Sequence, residues 1–384
     1  MKSRRLFLLA NGVFGLAFLV ALVIPVHALG QENASFNSHE VHVDGRITFR
    51  YLDANAGKVL LHLEGAAEAL PMEKDGAGVW SVVTPSLTPE IYGYSFEVDG
   101  QEQFDPHNFE IKDNLVSVGN LVTVPGATLQ VWEARDVPHG VVHHRFYTSK
   151  VVIGLADGND YYVYTPPGYD AKKGKRYPVL YLLHGWSDKA NGWTTVGKTN
   201  FIFDNLIAEG KVKPMVVVMP LGYGDIKFVL NGHGGWDDNA AIDRNVNLFS
   251  QALLTEIMPQ VESEYRVSKK RDYRSIAGLS MGGLESLTVG LTHPELFAWV
   301  GGFSSALGHN DEERFAGVNA KSANLRLLWI ACGTDEQLLA PNRKFVAWLK
   351  SKDVAVTVIE TPGMHTWMVW RDDLARFAPL IFQK

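Results

Sequence analysis

Between Ser275 and Gly283 the chain reads SIAGLSMGG, an apolar run that meets Gly278-Leu279-Ser280-Met281-Gly282 and passes directly into residues with helical spacing. A strand that turns into a helix this tightly leaves no room for side chains two positions before and two after the serine, hence Gly278 and Gly282. The turn stands the Ser280 hydroxyl above the sheet. The start of the following helix offers N–H groups and a positive dipole end to negative charge developing there. The motif therefore commits the surrounding chain to strands alternating with helices around a mainly parallel sheet.

The rest of the sequence agrees from residue 150 onward. Fully apolar runs (PVLYLLHG, KPMVVVMP, WVGGFS, RLLWIACG and VAVTVIETPG) read as strands. Helical periodicity falls between them, over Phe201 to Glu209, Asn247 to Glu264, Gly282 to Thr292, Asn342 to Lys350 and Asp372 to Phe382. Ahead of this α/β part, Val41 to Pro125 shows short alternating runs such as RITFRYL, KVLLHL and YGYSFEV, separated by Gly, Asp and Pro turns. That pattern predicts a small all-β sandwich. The expected organisation is a leader over 1–30, a sandwich over 36–125, a linker over 126–145 and an α/β unit over 146–384.

A chain of 384 residues, 46% of them apolar, has ample material for two cores. Its net charge of −6, without a long basic run, gives no footprint for nucleic acid. The N-terminal MKSRRLFLLANGVFGLAFLVALVIPVHALGQ has a charged start, an apolar stretch from Leu6 to Ile24 and small residues at Ala28 and Gly30, the pattern of a cleaved secretory leader. A retained anchor is the alternative, since that apolar stretch is longer than a usual leader core. Secretion or periplasmic location is expected, with no stable membrane association once the leader is removed. The single Cys332 has no internal disulfide partner, and its apolar surroundings predict a packed, inert thiol.

A serine hydroxyl needs a base to become a nucleophile at neutral pH. His365, in ETPGMHTWMVW, follows the last expected strand and precedes the last helix, where the chain order serine, acid, histidine requires it. His184, His233 and His293 lack that position and read as structural or solvent-facing. His139, His143 and His144 have no accompanying carboxylate or cysteine cluster, so no metal site is expected. The acid that orients His365 belongs after RLLWIACG, where Asp335 and Glu336 stand side by side; sequence alone leaves both open. For the oxyanion, the amides of Met281, after the serine, and Trp186, at the end of YLLHGW, are the candidate donors, with Gly185 as alternative. The segment Leu221 to Asn245, with Tyr223, Phe228 and Trp236, is a candidate wall of an acyl pocket or a plain surface excursion.

Taken in order, LLHGW, GLSMGG, ACGTDEQL and GMHTWMVW resemble carbohydrate esterase family 1, the feruloyl and acetyl-xylan esterases of the α/β-hydrolase fold, related to enterochelin esterases. The resemblance spans Phe146 to Lys384. It implies cofactor-free ester hydrolysis through an acyl-serine, with Ser280 and His365 in the catalytic roles. The family's acid stands three residues after the glycine, which places it at Glu336, a glutamate where an aspartate is usual, with Asp335 the alternative. The stretches ITFRYLDANAGKVLLHLEG and YGYSFEVDGQEQFDP resemble the glycogen-binding-type, immunoglobulin-like module found ahead of such esterases. Sugar-binding members usually carry a Trp in the loop corresponding to Gly65 to Pro71, and this chain has none there; Trp80 is expected to pack inside the sandwich.

The expected function is a serine esterase on feruloyl or acetyl esters of plant polysaccharide or oligosaccharide. A siderophore or other small-molecule esterase, or an acyltransferase, is the alternative within the same chemistry. A catalytically silent carbohydrate-binding protein is the alternative outside it. All candidate catalytic residues lie beyond Val141, so chain order suggests that the α/β unit acts on small esters without the sandwich.

Overall fold

The computed structural model describes residues 36–155, 158–172, 174 and 176–383; the leader expected over 1–30 lies outside them. Residues 39–124 build two antiparallel sheets. One runs in the order His39–Val41, Ile47–Leu52, Val79–Val83, Glu73–Lys74. The other runs Leu70–Pro71, Val59–Leu63, Glu90–Val98, Val118–Val124, Ile111–Asp113, with Gln101–Gln103 also pairing with Glu90–Val98. Alternation along Val59–Leu63 and Ile47–Leu52 sends every second side chain inward. Ile47 and Phe49 from one sheet thereby meet Leu61, Tyr94 and Phe96 from the other. Trp80 is buried in the same core and donates its indole N–H to Asp53 O at 2.9 Å.

The second sheet system has eight strands among the described residues. Their order is Val141–Tyr147, Asn159–Thr165, Val216–Pro220, Val179–Leu183, Arg274–Leu279, Trp299–Phe303, Leu327–Gly333, Thr357–Thr361. The first two junctions are antiparallel and the rest parallel. The central strands are buried at every position because helices cover both faces. Side chains of Tyr181, Leu183 and Ile276 enter one core with the helices Asn239–Ala252, Ser280–Thr292 and Leu339–Ser351. Leu180, Leu182 and Ala277 enter the other with Thr199–Ala208 and Trp367–Phe377.

Several boundaries differ from the sequence expectation. Residues 141–145, placed in the linker, belong to the edge strand Val141–Tyr147 of the large sheet. VVHHRFY shows little inward apolar alternation because that strand is largely exposed. One helix begins at Asn239, two turns before Asn247, because Asp238 accepts the Ala240 N–H at 2.9 Å and caps it there. The last long helix begins at Trp367 rather than Asp372. Its first N–H is satisfied by Glu64 from the sandwich, at 3.0 Å, a partner no local pattern reveals.

Residues from Asn37 onward form one compact unit, locked by a buried ion pair between sandwich and α/β layers. The Arg371 guanidinium, 1% exposed, donates to Glu90 Oε1 at 2.9 and 3.2 Å, to Ile91 O at 2.7 Å and to Val196 O at 2.9 Å. Breaking such a pair on one side strands the other charge away from water. Glu90→Ala is expected to lower the unfolding free energy by about 3 to 5 kcal/mol, measured by urea denaturation.

Candidate active site

The strand Arg274–Leu279 and the helix Ser280–Thr292 join with no residue between them. Ser280 takes φ +51°, a left-handed value that an L-residue adopts only when its surroundings hold it. Those surroundings are tight. A Cβ on Gly278 would stand 2.4 Å from Gly282 O, and one on Gly282 would stand 2.4 Å from His184 O. The Gly282 N–H donates to His184 O at 3.1 Å and the Ala306 N–H to Ser280 O at 2.9 Å, pinning the turn from two sides.

Above the turn, His365 Nε2 lies 3.0 Å from Ser280 Oγ, and its Nδ1 meets Glu336 Oε2 at close range. A carboxylate only accepts, so Nδ1 carries the ring proton and Nε2 is left to receive the hydroxyl hydrogen. The other carboxylate oxygen of Glu336 accepts from Ser304 Oγ at 2.6 Å, Gly333 N at 2.6 Å and Cys332 Sγ at 3.0 Å. Burial works against charge on Glu336, but the bonds from His365, Ser304 and Cys332 outweigh it and hold the carboxyl below the usual range. Burial and the neighbouring Glu336 charge push the Cys332 thiol up, away from the reactive thiolate.

Asp335 faces elsewhere. Its N–H donates to Gly363 O at 3.0 Å and its carboxylate accepts the Gly363 N–H at 3.2 Å, so it staples the loop that carries His365 without touching the imidazole. Ser304 escaped sequence reasoning, because a serine ending the strand Trp299–Phe303 looks like an ordinary turn residue. Its φ of +45° and complete burial mark it only once the fold is known.

The loop after Val179–Leu183 closes the other side of the serine. A Cβ on Gly185 would lie 2.5 Å from Leu279 Cδ1 and 3.4 Å from Ser280 Cβ, so the bare backbone approaches the elbow closely. His184 Nε2 accepts the Gly222 N–H at 2.9 Å, which assigns the ring proton to Nδ1, and Nδ1 donates to Gly185 O at 2.8 Å. The Asp188 N–H also donates to that carbonyl, at 3.2 Å. In a trans peptide the N–H points opposite to the C=O. With the Gly185 carbonyl anchored toward His184 and Asp188, the Trp186 N–H faces away from both.

Burial pulls the His184 imidazole down to about 4, against the raising effect of the Gly185 carbonyl. Burial pushes the neighbouring Asp188 carboxyl up to about 7. The two act on stability with opposite sign. The unfolded histidine takes a proton from about 6.5 downward while the folded one does not until about 4, so its contribution is complete above 6.5 and is lost as pH falls through that window. The unfolded aspartate releases its proton first, so its contribution is lost as pH rises from 3.8 toward 7. Comparison with His184→Asn isolates the first effect. Wild-type protein is expected to lose about 2 kcal/mol more than the variant between pH 7 and pH 5, by urea unfolding at both values.

Ser280 and His365 open into a cleft of about 580 Å³, lined by Trp186, His233, Trp236 and His309 and by Glu64, Lys112 and Asn114 of the sandwich. His233 packs on Trp186 with ring centroids 4.5 Å apart, and His365 meets the edge of Trp370 at 4.8 Å. The segment Leu221 to Asn245 therefore contributes to the wall only in part. Trp236 lines the cleft, whereas Tyr223 and Phe228 are buried in the core beneath it. His139, His143 and His144 make separate contacts with Asp204, Thr165 and Asp160, and His293 pairs with Glu295.

With this geometry in hand, comparison with known proteins gives a consistent relation. The chain is similar to an endo-1,4-beta-xylanase/feruloyl esterase of Xylanibacter ruminicola, 29% identical over 94% of this chain and 47% of that protein; it thus spans just under half the length of that relative. Among solved structures, a ferulic acid esterase of carbohydrate esterase family 1 from Anaeromyces mucronatus aligns with TM-score 0.56 and 24% identity, over 65% of this chain and 93% of the other. The enterobactin esterase of Shigella flexneri aligns with TM-score 0.64 and 19% identity, over 87% of this chain and 92% of the other, a likeness of fold. The family model described as "Putative esterase" matches residues 158–381, which include every residue of the elbow, the acid loop and the histidine loop, and the chain belongs to that esterase family.

Proposed function

We propose that the protein is a serine esterase that hydrolyses feruloyl esters, and more slowly acetyl esters, carried by plant polysaccharide or its fragments. The single observation that carries the reading is His365 bridging Ser280 Oγ and the buried Glu336 carboxylate. Ser280 attacks the ester carbonyl as His365 Nε2 takes its proton, and the resulting imidazolium is held by Glu336. The amides of Met281, second residue of its helix and so without an intrahelical acceptor, and of Trp186, aimed by the His184 anchor, receive the oxyanion. His365 returns the proton to the departing alcohol, then activates water against the acyl-serine. No cofactor takes part in these steps.

An aromatic acyl group suits the wall of Trp186, His233, Trp236 and His309, against which a flat ring stacks. An acetyl group leaves most of that wall uncovered. The relative from Xylanibacter ruminicola, named a feruloyl esterase, supports the same substrate class. The sandwich is read as an immunoglobulin-like, glycogen-binding-type module, and the N-terminal sequence supports action outside the cytoplasm. N-terminal sequencing of the secreted protein tests the second point, with cleavage near Ala28 or Gly30 expected.

Ser280→Ala is expected to abolish turnover with a nearly unchanged melting temperature, and more than about a tenth of wild-type kcat remaining would end the assignment. On a panel of methyl ferulate, p-nitrophenyl acetate and a catechol siderophore ester, the ferulate is expected to show the highest kcat/KM; preference for the siderophore ester would favour the alternative esterase. Glu336→Gln should lower kcat by up to ~10⁴-fold, since the imidazolium loses its support. Asp335→Asn should cost less than about tenfold, because an amide oxygen still accepts the Gly363 N–H. The reverse ranking would transfer the orienting role to Asp335.

A further inference from the structure

Ser187 follows Trp186 in the loop beside the elbow and has φ +72°, a left-handed value that a non-glycine residue does not keep unaided. What keeps it comes from the sandwich. The Leu115 N–H donates to Ser187 O at 2.7 Å, and Asn114 Nδ2 donates to Ser187 Oγ at 2.9 Å and to Asp188 Oδ1 at 3.3 Å. The ammonium of Lys189 pairs with Asp113, the last residue of the strand Ile111–Asp113, from which Asn114 and Leu115 lead toward Val118–Val124.

A second grip holds the opposite side of the serine. Glu64, just beyond the strand Val59–Leu63, has a side chain only 10% exposed. Its Oε1 accepts the N–H of Trp367, the first residue of the helix that starts two positions after His365. Its Oε2 accepts the Gly93 N–H at 2.9 Å and faces Lys112 Nζ at 3.4 Å. The adjacent Gly65 lies so close that a Cβ there would stand 2.8 Å from Met368 Cε, on the same helix turn.

We propose that the β-sandwich is part of the catalytic apparatus: Asn114 and Leu115 set the Ser187 turn, whose Asp188 N–H shares with His184 in holding the Gly185 carbonyl and so in aiming the Trp186 amide, and Glu64 sets the helix start that aims His365. The inference rests on the Ser280–His365–Glu336 reading and reverses the division of labour that chain order alone suggests. Asn114 and Glu64 are positioning residues, acting through Ser187 and Trp367. Displacements of well under an ångström in groups that meet a transition state lower its stabilisation while leaving ground-state binding intact. A module present only to hold polymer would leave turnover of a small ester untouched.

The test uses the full chain and p-nitrophenyl acetate, with kcat normalised to the sites titrated by a fluorophosphonate. Asn114→Ala and Glu64→Ala are each expected to lower kcat by about tenfold with KM within about twofold. Affinity for an aryl boronic acid, which forms a tetrahedral adduct on the serine, should fall in the same proportion. Glu64→Gln, which keeps an acceptor for the Trp367 N–H, should recover most of the loss, as a merely destabilised protein would not. Asn114→Ala added to Ser187→Ala should cost less than it does alone. Wild-type kcat in both alanine variants, or a raised KM with kcat intact, overturns the proposal, as does loss of titratable sites with normal turnover at those remaining. Ser280→Ala, run alongside, separates the two conclusions. If it stays active the esterase reading itself fails, and if it is inactive while the two alanine variants match wild type, only the positioning role fails.

Discussion

Ser280 occupies a backbone conformation that costs of order 1 to 3 kcal/mol for a residue with a side chain, and the site is organised around keeping it there. Gly278 and Gly282 remove the side chains that would collide across the turn. His184 O and Ala306 N then tie its two sides to neighbouring strand ends. Because His184 belongs to the loop bearing Gly185 and Trp186, the bond that holds the Ser280 turn also fixes the height of that loop. The Ser280 turn and the loop beside it are thus set by one small cluster of backbone contacts rather than by separate devices.

Glu336 illustrates how the longer acid is accommodated. Its side chain turns back so that one oxygen is met by Gly333 N, Ser304 Oγ and Cys332 Sγ while the other reaches His365 Nδ1. A buried carboxylate with so many donors remains charged despite its desolvation. Its charge therefore stands directly against His365 Nδ1. Asp335, next in line and solvent-exposed, contributes geometry instead by joining the acid loop to Gly363.

What the sequence discloses follows the range of the interactions involved. The elbow rests on glycine spacing within five residues, and His365 on the order of strands and loops, so both are legible from local pattern. The choice between Asp335 and Glu336 turns on which side chain points inward from one loop, which composition does not encode; family resemblance favours Glu336, and in the structure it is Glu336 that meets His365 Nδ1. Ser304, Asn114 and Glu64 left no signal, because each earns its place from partners 32, 73 and 303 residues away. The helix start at Trp367 was missed for the same reason. Its N-cap is Thr366, but the threonine side chain makes no capping bond and the Trp367 N–H is met instead by Glu64 from another sheet system.

The span between Glu64 and Trp367 also bears on when, during synthesis, the molecule can become itself. At ordinary elongation rates of about 5 to 20 residues per second, roughly 15 to 60 s separate the emergence of Glu64 from that of its partner N–H. Closing so long a loop adds only a modest entropic cost, but the contact is non-local and has to be found late. Until then Glu64 lacks its helix and Glu90 lacks the guanidinium of Arg371. A nascent chain thus carries Ser280 and Glu336 before the helix start that follows His365 has emerged to meet Glu64, so the arrangement of these three side chains is among the last features of the molecule to form.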